Sequence, residues 1–523
     1  MPKFEQKNKE LILAIDAGTQ SMRAALVDLT GQIHHLVKTP IEPYFSVKPG
    51  WAEQQPEYYW RMLCETCRKV LDTSEYPKDC IAAVTLTTQR STVINVDRDG
   101  NPLRPAIVWL DQRKADAKKI LPAFSIPLLK VLKLYQFIEF VTQWCRSNWI
   151  QQNQPEIWDQ THKFLFLSGY LTYKITGEYT DSVGNIIGTI PFNVKKFGWA
   201  GKRDLAWKLF PIEREKLPAL VNPTELLGHV SEIAAGETGI PKGLAVIAAS
   251  NDKACDVIGS GCLTPDQACI SLGTTATINT QNDKYVELRP LLPPYPSAIP
   301  GQFYSEVTVV RGLWMVSWFK EEFGLQERLE ALEKNVSPEE LLEKHLKNVP
   351  PGSMGLVSQP FWTPGPEVAS YTKGSVIGFG EIHTRSHLYR SIIEGLVFAL
   401  KEGGDLTEKK NQVPITEIRA TGGGARCDSI LQIIADVFGL PVCRPHANET
   451  SVLGAAMDAA VGLKYFPDFK QAVSAMTRVS DIFVPIKNNE EIYKEIYQRV
   501  YLKIYRKLLP IFKEIQDITG YPE

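Results

Sequence analysis

The sequence has almost no charge imbalance: 58 Lys and Arg stand against 59 Asp and Glu, a formal net charge of −1. A chain without a net field has nothing to draw it to nucleic acid or an anionic membrane, so a phosphorylated ligand must be met by local groups. Long apolar runs are also missing. The opening MPKFEQKNKE is polar, and the LILAI that follows ends at Asp16, too short for the core of a signal sequence. The most apolar stretch, around residues 120–145, is interrupted by Lys130, Lys133 and Glu139, which argues against a membrane span. It reads as a buried or subunit-facing helix, and a homodimer is the matching expectation. Cysteines are few and scattered, nine in all. Cys64 and Cys67 form one CxxC, but no second pair follows at zinc-site spacing, so two thiols on a helix and a cytoplasmic chain are expected. Two phosphate signatures are absent as well. GxxxxGK[ST] does not occur (Gly198 to Arg203 comes nearest and lacks the hydroxyl residue), and neither does GxGxxG, which excludes a P-loop or a dinucleotide fingerprint.

What is present is ordinary globular material: 523 residues, 44% hydrophobic and 22% charged, enough for two to four domains at ~150 residues each. Strand and helix patterns alternate, as in α/β layers. LILAID (11–16) reads as a buried strand, RAALVD (23–28) as its partner after a Gly-Thr turn, and Asp28–Gln32 as a further turn, so the chain opens with an antiparallel meander. Ile81–Leu86 reads as another strand. A second cycle starts near residue 268, where ACISLGTTATINT has the form of LAIDAGTQSMRAAL. This repeat predicts two related domains, 11–262 and 263–523. The second contains a strand at Glu417–Thr421, a turn at Gly422–Gly424, a helix over 428–438 and a strand from Pro441. It ends in a long helix in which Tyr493, Tyr497, Tyr501 and Tyr505 recur every four residues, the pattern of a packing face.

Five segments could carry chemistry. In Asp16-Ala17-Gly18-Thr19-Gln20-Ser21 the glycine would let backbone N–H groups approach phosphate oxygens, the Thr19 and Ser21 hydroxyls could donate to them, and Asp16 could hold hydrated Mg²⁺. Gly273-Thr274-Thr275 is the matching turn, and two such loops face to face could clamp a triphosphate. In Ala245–Lys253 a strand runs into Ser250-Asn251, and Asp252 then opens a helix. The helix dipole and nearby donors should keep that carboxylate ionised, as suits a base toward an alcohol. Thr421–Ala425, TGGGA, offers bare backbone to an adenine or ribose. Thr88-Gln89-Arg90 and Trp109–Arg113 combine hydrogen-bonding side chains with a tryptophan able to stack on a sugar. His387 has no acidic or nucleophilic partner in view and reads as structural.

Together these residues resemble the FGGY carbohydrate kinases from about residue 11 to about residue 510. DAGTQSMRAAL, TTQR, IVWLDQR, TDSVGNIIGT, NDKACDVIGSG, SLGTTA, TGGGARCDSILQIIADVFGLPV and ETSVLGAAMDAAVGLKY stand in the family's order. The segment from Gly374 to Glu394 is similar to the family's second signature, with Phe379 in place of a smaller aliphatic residue. The resemblance implies two actin-like, ribonuclease H-like α/β domains closing over ATP and a small sugar or polyol. By position it implies Asp252 as the base and Asp16 beside Mg²⁺. Gly18, Thr19, Gly273 and Thr274 would sit at the phosphates, Gly423 and Gly424 at adenosine, and Gln89, Arg90 and Trp109 at the sugar. Two departures concern the sugar: Ser91 replaces the glutamate usual in glycerol kinases, and Arg90 replaces the methionine usual in xylulokinases. Lys253 is also unusual and could contact substrate or point to solvent. The competing expectation is an actin- or chaperone-like ATPase, which shares the phosphate loops but has no need of the Gln89–Trp109 pocket.

Overall fold

The computed structural model describes residues 10–121, 126–131, 134–363, 369 and 371–521. Leu11–Ala17 (β1) is apolar except for Asp16, and every residue in it is buried. A strand apolar on both faces needs cover on both, and β1 lies inside a six-stranded sheet. Ser21–Asp28 (β2) pairs with it antiparallel, and Ile33–Pro40 (β3) pairs with β2 in the same way, so the expected meander is present. Ile81–Thr88 (β4) runs parallel to β1 on its other side. Leu226–His229 (β5) and Ala245–Ala248 (β6) complete the sheet, with β6 parallel to β4 and β5 antiparallel at the edge. The order is β5-β6-β4-β1-β2-β3.

A second sheet repeats this plan. Gln267–Leu272 (β7), Ala276–Asn282 (β8) and Phe303–Val309 (β9) form a meander. Glu417–Thr421 (β10) lies parallel to β7, Val442–Pro445 (β11) lies parallel to β10, and Val479–Phe483 (β12) closes the edge antiparallel. Read from β9, the order β9-β8-β7-β10-β11-β12 matches the first sheet strand for strand and direction for direction, with the short Tyr295–Pro296 strand added outside β9. The repeated Gly-Thr turns therefore occupy the same place in two copies of one topology, the β1–β2 turn and the β7–β8 turn.

Pro56–Thr73 (α1) covers one face of the first sheet, and Cys64 and Cys67 lie on it as free thiols. Asp252–Gly259 (α2) follows β6. Arg385–Asn411 (α3) and Asp428–Phe438 (α4) cover the second sheet. Thr450–Gly462 (α5) follows β11, so α2 and α5 are equivalent helices of the two copies. They cross in near-backbone contact: a Cβ on Gly259 would lie 2.0 Å from the Thr450 carbonyl oxygen, and one on Gly454 would lie 2.0 Å from that of Cys255. A core built from both halves surrounds the crossing, with Ile12 and Ala14 of β1, Ala254 and Ile258 of α2, and Val452, Leu453 and Met457 of α5. The helix α5, late in the chain, thus covers the first sheet.

The apolar 120–145 stretch is not one buried helix. It contains two short helices, Ile126–Val131 and Tyr135–Gln143, with residues 122–125 and 132–133 outside the described residues. Val131 is 79% exposed, while Ile138 is buried. His387 belongs to the Thr384 capping box at the start of α3, a structural role as expected. Tyr493, Tyr497 and Tyr501 are buried against Phe398 of α3, and Tyr505 packs on Phe361. Steps of four residues advance about 40° beyond a full α-helical turn, so a stripe of this period drifts off its face. Here a π-helical turn, Tyr497–Tyr501, lies between the helices Lys487–Ile496 and Leu502–Thr519, and its wider winding takes up the drift. No helix among the described residues is long and apolar enough to cross a membrane.

The crossing yields a test. Alanine is the better helix former at Gly454 by ~1 kcal/mol, yet its methyl group would collide with rigid backbone. Gly454→Ala is therefore expected to lose about 1–3 kcal/mol of stability in urea denaturation; an unchanged or higher midpoint would refute the close approach.

Candidate functional site

The site forms where the strand ends of the first copy meet the second copy. Asp252 is the first residue of α2, and its loop is fixed from several directions. Asn251 caps the helix, its side-chain oxygen accepting from Lys253 N and Ala254 N at 3.1 and 3.2 Å. Its amide donates to Gly184 O at 2.7 Å, and Tyr304 of β9 donates to its oxygen at 3.1 Å. Thr87 Oγ1 of β4 donates to Ser250 O at 2.8 Å. Asp252 Oδ1 accepts from Lys253 N at 2.9 Å.

The carboxyl of Asp252 does not behave as the helix-dipole argument predicts. Its pKa is pushed up to about 6, first by burial, with Lys253 and Arg90 pulling down and Asp16 and Asp256 pushing up. Loss of water therefore outweighs the favourable helix end. At neutral pH the group is still mostly ionised, but as a stronger base than a solvated carboxylate.

Asp16, near the end of β1, stands opposite Arg23 in the β1–β2 register. Arg23 Nη1 donates to Asp16 Oδ2 at 2.6 Å, and Ser451 Oγ, from the first turn of α5, donates to the same oxygen at 2.9 Å. Arg23 also pairs with Glu449 at 3.2 Å. Asp16 Oδ1 is buried with no partner. One free carboxylate oxygen fits Mg²⁺, which takes one or two carboxylates and fills its shell with water and substrate phosphates. No cluster of three metal-ligating side chains occurs among the described residues, so the donor set suits such an ion and not a fully protein-caged one.

The two Gly-Thr turns meet: Gln20 Nε2 donates to Thr274 Oγ1 at 3.2 Å. Gly18 N donates to Ser21 O at 3.1 Å, closing the first turn, and Ser21 is 3% exposed at the start of β2. The Thr19 hydroxyl is turned to the other side of the site, away from the role expected of it. Trp109 Nε1 donates to it at 3.0 Å, and it donates to Gln89 Oε1 at 3.0 Å. Gln89 is buried, its amide donating to Tyr59 at 3.2 Å, so it anchors the Thr19–Trp109 unit. In the second copy, Gly273 O accepts from Leu313 N at 2.9 Å.

The glycines after β10 divide in role. Gly422 has φ +82° and lies against Leu272 backbone. A Cβ on Gly424 would lie 2.4 Å from Leu313, whereas one on Gly423 would meet nothing within 4 Å. Gly424 is thus a packing position, and Gly423 borders open space.

Arg90 and Lys253 were singled out in the sequence, but their partners, among them Tyr304 and Glu306, were not. Lys253 points neither to solvent nor freely into the cleft: its Nζ donates to Ser271 Oγ at 2.8 Å and lies 3.7 Å from Asp256. Asp256 also accepts from Thr450 of α5 at 2.8 Å. Arg90 reaches the second copy, donating to Tyr304 at 3.1 Å and to Glu306 at 2.9 Å. Asp111 and Arg113 form an internal pair at 2.7 Å, with the Arg113 guanidinium 3.8 Å from the Trp51 ring centre, so that part of the tryptophan motif is scaffold. Only the period-two alternation of Tyr304, Glu306 and Thr308 in β9 could have flagged Tyr304 and Glu306, as polar side chains on one strand face.

The chain is similar to known proteins along most of its length. Residues 11–259 match the FGGY family of carbohydrate kinases, N-terminal domain, and residues 268–463 match its C-terminal domain. The chain is 31% identical over 488 residues to the Escherichia coli (strain K12) protein named Uncharacterized sugar kinase YgcE, covering 93% of this chain and 91% of that one. It is 28% identical over 495 residues to a xylulose kinase of Lactococcus lactis, covering 92% and 95%. A ligand-bound xylulose kinase from Lactobacillus acidophilus shares the fold, with a TM-score of 0.81 at 21% identity over 97% of this chain and 99% of that one.

The raised pKa of Asp252 has a stability consequence. A carboxyl whose folded pKa lies above its unfolded value costs stability once ionised, so the cost is present above about pH 6 and disappears as pH falls toward 4. Asp252→Asn is expected to raise Tm at pH 8, by roughly a few degrees, with the gap closing at pH 4. A lower Tm at pH 8 would contradict the burial argument.

Proposed function

Because the chain belongs to the FGGY family of carbohydrate kinases, we propose that it transfers the γ-phosphoryl group of ATP to a hydroxyl of a small sugar or polyol, of pentulose, pentitol or glycerol type. The observation that carries this reading is Asp252, held rigidly at a helix start between the two copies with Arg90 and Lys253 beside it. The substrate hydroxyl gives its proton to the Asp252 carboxylate while its oxygen forms the new bond to the γ-phosphorus. The bond from that phosphorus to the β–γ bridging oxygen breaks, and ADP leaves. Phosphoryl transfer passes through a loose transition state, so positioning matters more than base strength. A carboxylate fixed by its neighbours, with a pKa near 6, serves both needs.

We assign the phosphates to the paired turns at Gly18, Thr19 and Ser21 and at Gly273 and Thr274, with Thr19 contributing its backbone because its hydroxyl is held by Trp109 and Gln89, and the adenosine to the open side of Gly423. In this reading Gly424 supports that turn through packing. Asp16 Oδ1 would hold Mg²⁺, which when bound offsets phosphate charge. Arg90 and Trp109 line the sugar side, with Gln89 behind them. The division into a sugar-binding domain, 11–262, and a nucleotide-binding domain, 263–523, belongs to the same proposal. So does a cytoplasmic location, supported by nine free cysteines, and a homodimer, which light scattering would test.

A screen of ketoses, pentitols and glycerol for ADP release tests the reading: one of them should raise turnover well above the ATP-only rate, and none doing so would refute it. With that substrate, Asp252→Asn should lower kcat by at least about 10²-fold while ATP still binds. The wild-type kcat/KM should fall as pH drops through about 6, where the base becomes protonated. Retained turnover in the variant would remove Asp252 from the role.

Gly423 and Gly424 should separate nucleotide binding from packing. Gly423→Ala is expected to change stability by less than about 0.5 kcal/mol and to raise the KM for ATP, whereas Gly424→Ala should lower Tm. The reverse pattern would move the adenosine elsewhere.

A further inference from the structure

Glu306 sits in β9, on the second copy, with its side chain only 3% exposed. One oxygen, Oε1, is well used: Arg90 donates to it at 2.9 Å and Thr308 Oγ1 donates at 3.0 Å. The other, Oε2, is buried with no hydrogen-bond partner. A buried carboxylate oxygen left unpaired costs free energy and calls for an explanation. The surroundings locate it in the reaction site. Arg90 links Glu306 to Tyr304, Tyr304 bonds to Asn251, and Asn251 caps the helix that Asp252 begins. Glu306 also interacts electrostatically with Lys253, the residue after the base.

Resting on the kinase reading above, we propose that Glu306 is a specificity-determining residue whose Oε2 accepts a hydrogen bond from a second substrate hydroxyl, not the one that is phosphorylated. An ionised carboxylate only accepts, so the partner must be a donor. The same surroundings set the charge of the substrate. The two cations beside Asp252 are already engaged, Arg90 with Glu306 and Lys253 with Ser271 and Asp256. With Asp252, Asp256 and Glu306 all near, a substrate carboxylate would meet like charge. The site therefore selects a neutral polyhydroxy compound over a sugar acid. Asp252 lies on the first copy and Glu306 on the second, so the specificity contact is complete only when the halves meet.

The test starts from the best substrate in an ADP-release screen that includes gluconate as a sugar acid. Glu306→Gln, close to isosteric, is measured on that substrate and on its monodeoxy analogues. Its KM for the parent should rise about 10–100-fold, the range of a hydrogen bond to a charged group, with the KM for ATP unchanged. One deoxy analogue should be at least about tenfold worse than the parent for the wild type and no worse for the variant. If the two enzymes rank every analogue alike, or if gluconate is the best substrate, the proposal is overturned while the kinase reading stands. If no sugar raises turnover, both fall. Thr308→Val, which removes the second donor to Oε1, guards against a folding artefact: it should shift KM in the same direction by less, and no shift in a folded variant counts against the proposal.

Discussion

The structure depends on the crossing of α2 and α5. Two helices, each following the equivalent parallel strand of its own copy, meet where Gly259 and Gly454 let backbone lie against backbone. The approach fixes more than packing. The start of α2 carries Asp252, and the first turn of α5 carries Thr450 and Ser451, which bond to Asp256 and Asp16. One contact thus sets the carboxylate proposed as base, the carboxylate proposed for the metal and their relative position. Bulk at either glycine would push the two carboxylates apart before it affected either sheet. The same crossing explains why the halves share a core: Ile12 and Ala14 of the first sheet pack with Val452, Leu453 and Met457 of α5 as well as with Ala254 and Ile258 of α2.

Around that crossing the site gathers carboxylates at some cost to stability. Asp16, Asp252, Asp256 and Glu306 stand near one another, answered by Arg23, Arg90 and Lys253. Each cation is paired with another acid, Arg23 with Asp16, Arg90 with Glu306 and Lys253 with Asp256, so their pull on Asp252 does not offset its burial and its pKa is raised. A site optimised for stability would have bonded it. Unpaired strain of this kind at a fixed geometry is the usual mark of a group kept for chemistry.

The sheets and their repetition were legible because they rest on local signals. LILAID and ACISL are apolar runs ending in Gly-Thr turns, and both folded as the inner strands that such runs make. The tyrosine stripe was legible as a packing face, but the π turn that holds it in register was not, since periodicity records spacing and not winding. Asp252 was singled out as a carboxylate at a helix start that stays ionised, as it mostly does at neutral pH, but the rise of its pKa by burial was not foreseen. Helix ends are visible in sequence, whereas burial depends on Tyr304, Arg90 and Lys253 arriving from other segments. The direction of the Thr19 hydroxyl was hidden for the same reason: it goes to Trp109 and Gln89, which lie 90 and 70 residues away. Glu306 could not be tied to Arg90, because that pair exists only across the two copies.

What separates this chain from an ATPase that shares its phosphate loops is the pairing across those copies. Two Gly-Thr turns bridged by Gln20 and Thr274 would serve any enzyme that clamps a triphosphate. An enzyme that only hydrolyses ATP gains nothing from a second bridge on the acceptor side, and water needs no carboxylate oxygen held in reserve. Here Arg90 crosses to Tyr304 and Glu306 near Asp252, so in the proposed reading the two copies are bridged on the acceptor side as well as at the phosphates. An acceptor bonded on both sides of the cleft favours the closed arrangement, and closure in turn excludes the water that would compete with it. In the proposed reading, the two bridges would make discrimination against water depend on the fold as well as on Asp252.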